Sequence, residues 1–232
     1  MVISAFSNTE VNISFPNGTS ISKTLNWMDV YQEASRLNDL TGTMIQSSKP
    51  VSVVSGVSCM YIPEVPSAGN CDMIDEQMIP RSAFQKHFII PPILSNKFMV
   101  RIFSSQSNNK VCVKDSSFEN CTTMGSNQWL ESTPNTFLLV VTSQKKASVI
   151  QYKESQAYMT TIPAIRQCMN PYTFVRQGVY GHHNNYISVT ILSSASQSLL
   201  LDGISPSAQL ADTAQVVPPF NNYTVLTFRI TT

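Results

Sequence analysis

The sequence predicts an all-β protein built from tandem antiparallel β-sandwich repeats, and three observations lead to this class. Apolar and polar residues alternate in short runs, as at Val51 and Val53 and at Val100 and Ile102, which indicates strands with one buried and one solvated face. Ser, Asn, Gly and Pro separate these runs, and their order recurs along the chain. The best candidate helix, Trp27–Leu40, lacks capping residues.

The composition is more typical of an extracellular β domain than of a cytosolic enzyme. Charged residues are 12% of the 232 residues, about half the usual ~25%, and Ser, Thr and Asn supply the polarity. The net charge is +1 without a basic block, so we expect no nucleic-acid partner. No apolar run approaches the ~20 residues of a membrane span, so we expect no membrane insertion. No signal peptide is recognisable, and we expect a piece of a longer secreted protein.

A strand, a polar turn and a second strand recur three times, at Val2–Ile13, Val100–Val113 and Val189–Leu201. A second pair of similar segments is Thr43–Val54 and Leu139–Ile150. A third pair begins with Met78-Ile79-Pro80 and Thr161-Ile162-Pro163, and these lead to His87–Ile90 and Pro171–Phe174 respectively. All three elements follow in the same order, which favours duplication over chance.

The repeat is about 85–100 residues long, the size of a small β-sandwich and longer than a propeller blade of about 40–45 residues. We therefore predict a first, N-terminally truncated unit at 1–95, a second at 96–184 and a partial third at 185–232. Because each unit divides into two halves that contain a hairpin, a β-propeller-like arrangement is the alternative.

The cysteines form two candidate disulfides. Cys59 lies close to Cys71, and Cys112 lies close to Cys121, so each pair could close a short loop worth about 2–3 kcal/mol. Neither pair has the knuckles of a zinc site. The alternative is five buried free thiols, and Cys168 is left over in either case.

Four Asn-X-Ser/Thr sequences are candidate glycosylation sites, although a chain rich in these residues also produces them by chance. They begin at Asn12, Asn17, Asn120 and Asn222.

The sequence contains no recognisable catalytic or cofactor motif, so we predict no enzyme, no cofactor and no metal site. Histidine occurs at His87, which we expect to face outwards on a strand, and at His182 and His183, which we expect in a loop. Adjacent residues on a strand point to opposite faces and rarely share one ion. The acidic cluster Asp72, Asp75 and Glu76 fits a solvated loop or a helix start better than a calcium site.

A set of motifs resembles the amino-terminal domain of IgGFc-binding proteins over roughly residues 40 to 203. Its more specific part is Ser47, Lys49-Pro50-Val51, Val53, Ser55-Gly56, Cys59, Cys71-Asp72, Glu76-Gln77, Pro80 and Pro91-Pro92. Softer matches are Gln151-Tyr152, Met159–Ala164, Tyr172-Thr173-Phe174 and Leu200–Gly203. The chain departs from the family at Met73, where His is usual, and at Lys146, where Pro is usual.

The resemblance implies a secreted or cell-surface module with a Cys59–Cys71 bridge and a role in mucus, adhesion or recognition. The implied partner is an extracellular protein or glycoprotein, such as immunoglobulin Fc or a mucin. No short family motif defines the Fc contact, so no Fc-binding residue is transferred.

Three functional hypotheses follow. We favour a protein-binding or adhesion module whose contact surface includes the loop Tyr61–Gly69. The second is a structural spacer in a large secreted protein. The third is a hydrolase with a site between units, which would require a cleft at His182 or His183 with a carboxylate nearby.

Overall fold

The computed structural model describes residues 1–35, 38–60, 72–93, 98–133, 138–153, 158–169, 171–173 and 185–230. These residues form strands that pair with one another in the antiparallel sense. Their helices are short 3-10 turns at Arg81–Ala83, Ile165–Gln167, Ser193–Ser198 and Ser207–Gln209. The predicted all-β class with antiparallel sheets is confirmed.

The first motif runs from Val2 to Gln77 and contains two sheets. Its strands are β1 (Val2–Ser4), β2 (Thr9–Ser14), β3 (Ser20–Leu25), β4 (Val30–Tyr31), β5 (Met44–Ser47), β6 (Val51–Met60) and β7 (Asp72–Gln77). One sheet has the order β4-β1-β6-β7 and the other β3-β2-β5. Both contribute to one apolar core, because Val2 of β1 packs in the same cluster as Val11 and Ile13 of β2.

The second motif runs from Phe98 to Thr161 and is preceded by β8 (Gln85–Ile90). Its strands are β9 (Phe98–Ser104), β10 (Asn109–Lys114), β11 (Glu119–Met124), β12 (Trp129–Ser132), β13 (Leu139–Lys153) and β14 (Met159–Thr161). They form a single sheet of order β11-β10-β13-β9-β12, with β8 and β14 also paired to β13. Its core holds fully buried side chains that include Ile90, Ile102, Val111 and Leu139.

The two motifs use the same strand pairings. Strands β1 and β9 both pair with the fourth strand of their motif, and β2 and β10 both pair with the third. The register also matches, since Ser4 faces Val51 as Ser104 faces Ala147. These pairings support the proposed repeat, and the unit boundaries 1–95, 96–184 and 185–232 remain a proposal.

One difference between the motifs is explained by Pro50. The second motif has one continuous strand, β13, where the first has β5 and β6 separated at Ser48–Pro50. Proline has no backbone N–H and does not continue a ladder from within a strand. The equivalent residue in the second motif is Lys146, which lies within β13.

A serine and a lysine close the same turn in each motif. The turn between β1 and β2 is joined by Lys49 Nζ, which donates to the carbonyl oxygen of Ser7 at 2.6 Å. The turn between β9 and β10 is joined by Lys145 Nζ, which donates to the carbonyl oxygen of Ser107 at 2.6 Å. Lys49 in the segment Ser47–Pro50 and Lys145 in the segment Ser143–Lys146 therefore hold the neighbouring turn in place.

The third predicted repeat element differs from the other two. Residues 185–230 form a sheet of order β15-β17-β16 from β15 (Asn185–Leu192), β16 (Leu210–Gln215) and β17 (Tyr223–Ile230). The segment Ser193–Ser198, expected as a polar turn before a second strand, is a 3-10 helix. Of the expected second strand, Leu201 makes an isolated bridge with Ile204.

Two further expectations are corrected. The candidate helix Trp27–Leu40 is not helical in its described part, which contains a turn and the short strand β4. The third repeated element is also shifted by one residue, because Met78 N donates to Val53 O as Ile162 N donates to Val149 O. Met78 is therefore equivalent to Ile162 rather than to Thr161.

Candidate binding groove

A groove of about 600 Å³ lies between the first and second motifs. The first motif contributes the turn after β2, with Phe15 and Pro16, and the start of β5 at Met44. The second motif contributes the turn before β12, with Asn127, and the exposed ring of Trp129. The walls thus combine an aromatic platform, a thioether and amide groups, and the groove-lining side chains are uncharged.

Arg101 on β9 holds the second wall in place. Its guanidinium carbon lies 4.9 Å from the ring centroid of Trp129 and 5.4 Å from that of Tyr152. Its Nε donates to Glu131 Oε2 at 2.9 Å. A cation stacked on aromatic faces and paired with a carboxylate has few alternative positions, so the Trp129 platform is pre-organised.

The same arginine reaches the first motif. Its Nη1 donates to Thr41 Oγ1 at 3.3 Å, and Thr41 N donates to Asp39 Oδ1 at 2.8 Å. Burial opposes ionisation of Asp39, but the hydrogen bonds from Thr41 and the positive charge of Arg101 lower the pKa of this carboxyl below its ordinary value. A series of polar contacts through Arg101 and Thr41 therefore joins Glu131 of the second motif to Asp39 of the first.

Gly42 forms the turn that lies against Trp129. Its φ is +91°, a backbone conformation that favours glycine. A Cβ at this position would lie 3.6 Å from Trp129 Cδ1 and 3.7 Å from Asn127 O. Both distances are ordinary van der Waals contacts, so glycine is favoured here by its backbone conformation and not by lack of space beside Trp129.

Among the described residues, both partners of the predicted Cys112–Cys121 disulfide are present and bonded. Cys112 on β10 and Cys121 on β11 are bonded with an S–S distance of 2.01 Å and face each other in the ladder. Cys59 is disulfide-bonded, and its predicted partner Cys71 lies outside the described residues. Cys168 is a free thiol whose pKa is raised by burial.

The predicted glycosylation residues differ in their surroundings. Asn12, Asn17, Asn120 and Asn222 are exposed. Asn17 lies in the turn between β2 and β3, where its Oδ1 accepts hydrogen bonds from Thr19 N at 3.0 Å and Thr19 Oγ1 at 2.7 Å. Thr224, the hydroxyl residue of the Asn222 sequence, is buried and donates to Ala214 O. The Asn17 sequence is thus the more accessible of these two.

Of the histidines singled out in the sequence, the structure describes His87, which does not line the groove. His87 is exposed on β8, and burial, followed by the charges of Arg166 and Lys86, lowers its pKa. Its ring packs 5.4 Å from that of Phe220. Residues His182, His183 and the loop Tyr61–Gly69 lie outside the described residues.

The acidic cluster is part of strand β7, which corrects the expectation of a loop or a helix start. Asp75 and Glu76 are neighbours on this strand and therefore point to opposite faces. Glu76 Oε1 accepts a hydrogen bond from Thr161 N at 3.4 Å, which ties β7 to β14 of the second motif. The carboxylates of Asp75 and Glu76 are therefore not gathered around one ion.

A family comparison decides which group of proteins the chain is related to. The family model described as IgGFc binding protein matches residues 2–231. The chain belongs to the IgGFc binding protein family. A relative from Homo sapiens, the IgGFc-binding protein, is 33% identical over 81 residues, which are 35% of this chain and 1% of the relative. No solved structure matches the chain.

Membership of the IgGFc binding protein family extends to both motifs and to the third sheet, since the match covers nearly all residues. The family resemblance predicted from the motifs is therefore confirmed. Among the described residues, no helix has the length and apolarity to cross a bilayer.

Sequence reasoning missed the groove. Its key residues Arg101 and Trp129 lie on different strands of one motif, and Thr41 and Gly42 lie on the other motif. No local pattern connects them. The one available signal was Gly42 beside Thr41 and Thr43, since an isolated glycine before a strand often marks a turn that needs a left-handed backbone conformation.

Proposed function

We propose that this chain is an extracellular protein-binding module and that the groove between its two motifs is its contact surface. Membership of the IgGFc binding protein family supports binding of a protein. The observation that carries the site is the Trp129 ring, exposed at the groove and stacked on Arg101. Trp, Tyr and Arg dominate binding energy at protein interfaces because they offer large, rigid and partly polar surfaces.

The groove favours an uncharged peptide segment or loop as its ligand. Its lining combines Phe15, Met44 and Trp129 with the amides of Asn127 and Gln128. Such walls give apolar contact together with hydrogen bonds to a peptide backbone, whereas a strongly charged ligand would find no opposite charge among them. Family membership supports an extracellular protein such as immunoglobulin Fc as the partner class, and a mucin-like glycoprotein is the second candidate that we propose.

An extracellular location is part of the proposal. It is supported by the Cys112–Cys121 bond, because disulfides persist mainly in oxidising compartments. It is also supported by the exposed Asn17 acceptor sequence. Expression through a secretory pathway followed by peptide mapping should find glycan on Asn17 and little on Asn222.

The experiment that tests the groove uses the two tryptophans of the chain. Binding to immobilised human immunoglobulin Fc and to mucin is measured for the wild type, for Trp129→Ala and for Trp27→Ala. Trp129 lies in the groove, whereas Trp27 is exposed on the turn between β3 and β4, does not line the groove and serves as the matched control.

We expect Trp129→Ala to weaken binding about tenfold or more, because a central aromatic truncation costs at least about 2 kcal/mol. Trp27→Ala should bind as the wild type does. Equal binding by the wild type and Trp129→Ala, or loss in Trp27→Ala alone, would move the contact away from the groove. Absence of saturable binding to either protein would favour the spacer function.

A further inference from the structure

The turn between β3 and β4 of the first motif has an equivalent in the second motif. Met28 N donates to Ser4 O at 2.9 Å, and Asn127 N donates to Ser104 O at 3.0 Å. Both Met28 and Asn127 have a positive φ, of 64° and 62°. Met28 is therefore equivalent to Asn127, which makes Trp27 equivalent to Ser126 and Val30 equivalent to Trp129.

The neighbouring turn between β1 and β2 gives a fourth equivalence. Phe6 N donates to Ser4 Oγ at 3.3 Å, and Gln106 N donates to Ser104 Oγ at 3.4 Å. Phe6 and Gln106 are thus equivalent. We call Phe6, Trp27, Met28 and Val30 the head of the first motif, and Gln106, Ser126, Asn127 and Trp129 the head of the second.

The head of the second motif is an interface. Asn127 Nδ2 lies 3.7 Å from Met44 Sδ, and Trp129 packs over Gly42. Beside them, Arg81 donates to the backbone oxygen of Ser105. The segment Thr41–Met44 of the first motif, which we call its tail, thus sits on the head of the second motif.

The head of the first motif carries apolar residues where the second carries three polar ones. Trp27 is 68% exposed, Met28 61%, Val30 55% and Phe6 48%. Methionine is also a poor choice for the backbone of Met28, because the left-handed region favours Gly and Asn. The equivalent Asn127 fits that region, so the backbone geometry does not explain the methionine.

We propose that the head of the first motif is a docking surface for the tail of another β motif of this family, seated as Thr41–Met44 sits on the second motif. Continuity with the existing interface carries the choice of partner, since Asn127 and Trp129, the equivalents of Met28 and Val30, already receive such a tail in the second motif. The apolar side chains supply the burial, and the exposed tryptophan is the anchor. The head-to-tail order of the motifs would then continue beyond the first one.

The test extends the full chain by one motif. Residues 1–100 are placed ahead of the 232-residue chain, so that Val100 is followed by Met1. This junction keeps the natural spacing, because Ser4 is equivalent to Ser104. The added tail can then reach the native head as it reaches the second motif.

Two extended chains of identical composition are compared. Each chain has two copies of the first motif, and one copy in each carries the substitutions Phe6→Gln, Trp27→Ser and Met28→Asn. The new residues are those that the second motif has at the same backbone positions. In one chain they lie in the added copy, so the native head is internal. In the other they lie in the internal copy, so the native head is terminal.

We expect the chain with the internal native head to show weaker acrylamide quenching of Trp27 fluorescence, a blue-shifted emission and a midpoint of thermal unfolding several degrees higher. Equal quenching and equal midpoints in the two chains would overturn the proposal. An added copy that stays unfolded in front of the native head would also overturn it.

The unextended chain provides the control. The same three substitutions in the 232-residue protein should leave its circular dichroism and cooperative unfolding unchanged, since the second motif folds with these residues. A different result would show that the head binds a second copy of the chain and that the like-motif proposal is wrong. In that case the unextended wild type self-associates with increasing concentration, and the three substitutions abolish this association. The two extended chains then also have equal quenching and equal unfolding midpoints.

Discussion

At the scale of single residues, Lys49 and Lys145 have the same structural role, since each joins a neighbouring turn. Lys145 Nζ donates to Ser107 O in the turn between β9 and β10, and Asn109 Oδ1 at the start of β10 accepts from Lys145 N at 2.8 Å. Asn109 is fully buried. Lys145 therefore joins the turn between β9 and β10 to the middle of β13, where the strand changes its partner from β10 to β9.

Lys145→Met should lower the free energy of unfolding by about 1 kcal/mol, since it removes one charge-assisted hydrogen bond from a half-buried position. Urea denaturation measures the change. The control is Lys110→Met, which removes an exposed lysine from β10 and should change stability by less than about 0.5 kcal/mol. Equal effects of the two substitutions would contradict the role of the Lys145 bond.

Asp39 should give the protein a measurable acid sensitivity. Its pKa is lowered in the folded state by Thr41 and Arg101 against the opposing effect of burial. A carboxyl group with a lowered folded pKa stabilises the fold above its unfolded pKa, and this contribution is lost as the pH falls through the folded value. The loss therefore lies below about pH 4.

Thermal unfolding at about pH 6 and about pH 3 tests this dependence. The wild type should lose more stability than Asp39→Asn over this interval, because the amide has no proton to gain. Asp75→Asn, at an exposed position on β7, is the control and should follow the wild type. The prediction is wrong if Asp39→Asn and the wild type lose stability in parallel.

At the scale of elements, the strands followed from local alternation, but their partners did not. The runs around Val100 and Val111 became β9 and β10 as predicted, yet these two strands pair with β12, β13 and β11 and not with each other. Pairing depends on side chains that are distant in sequence. The alternating pattern contains no information about them.

Turn chemistry separates the correct local predictions from the wrong ones. The Asp-Gly pair Asp202-Gly203 is a sequence signal for a tight turn, and these residues, with φ values of 50° and 81°, join the bridged residues Leu201 and Ile204. These residue types favour such a turn intrinsically. The polar run Ser193–Ser198 has no such preference, so its 3-10 helix could not be read from composition.

The Cys112–Cys121 bond holds the edge strand β11 on the sheet. Replacing both cysteines by serine should lower the free energy of unfolding by about 2–3 kcal/mol, because the open loop regains entropy in the unfolded chain. The midpoint of urea denaturation measures it. Cys168→Ser, which changes a free thiol, should have a smaller effect, and an unchanged midpoint in the double variant would show that the bond does not stabilise the fold.

At the scale of the whole molecule, contacts between the motifs create the candidate site. Arg101 of the second motif contacts Thr41 of the first, and Ile74 of β7 packs in one cluster with Met99, Ile150 and Met159. The family and the recurrence were evident from the sequence. The groove depends on how two motifs meet, which requires the three-dimensional arrangement.

A double-mutant cycle of Arg101→Gln and Thr41→Val tests coupling between the motifs. Residues joined by a hydrogen bond are expected to show a coupling energy of about 0.5–1 kcal/mol in urea denaturation. A second cycle of Arg101→Gln with Thr123→Val, an exposed threonine on β11, should be additive. Additivity in both cycles would mean that the hydrogen bond between Arg101 and Thr41 contributes no coupling free energy between the motifs.

The continuous strand β13 has a mechanical consequence. It is paired along its length with β8, β9, β10 and β14, so a pulling force along β13 must shear many hydrogen bonds together. The first motif is divided at Pro50, and β4 adds only two residues to its sheet. Under tension in an atomic force microscope, the first motif should rupture at lower force and leave the second as the load-resistant part of the tether.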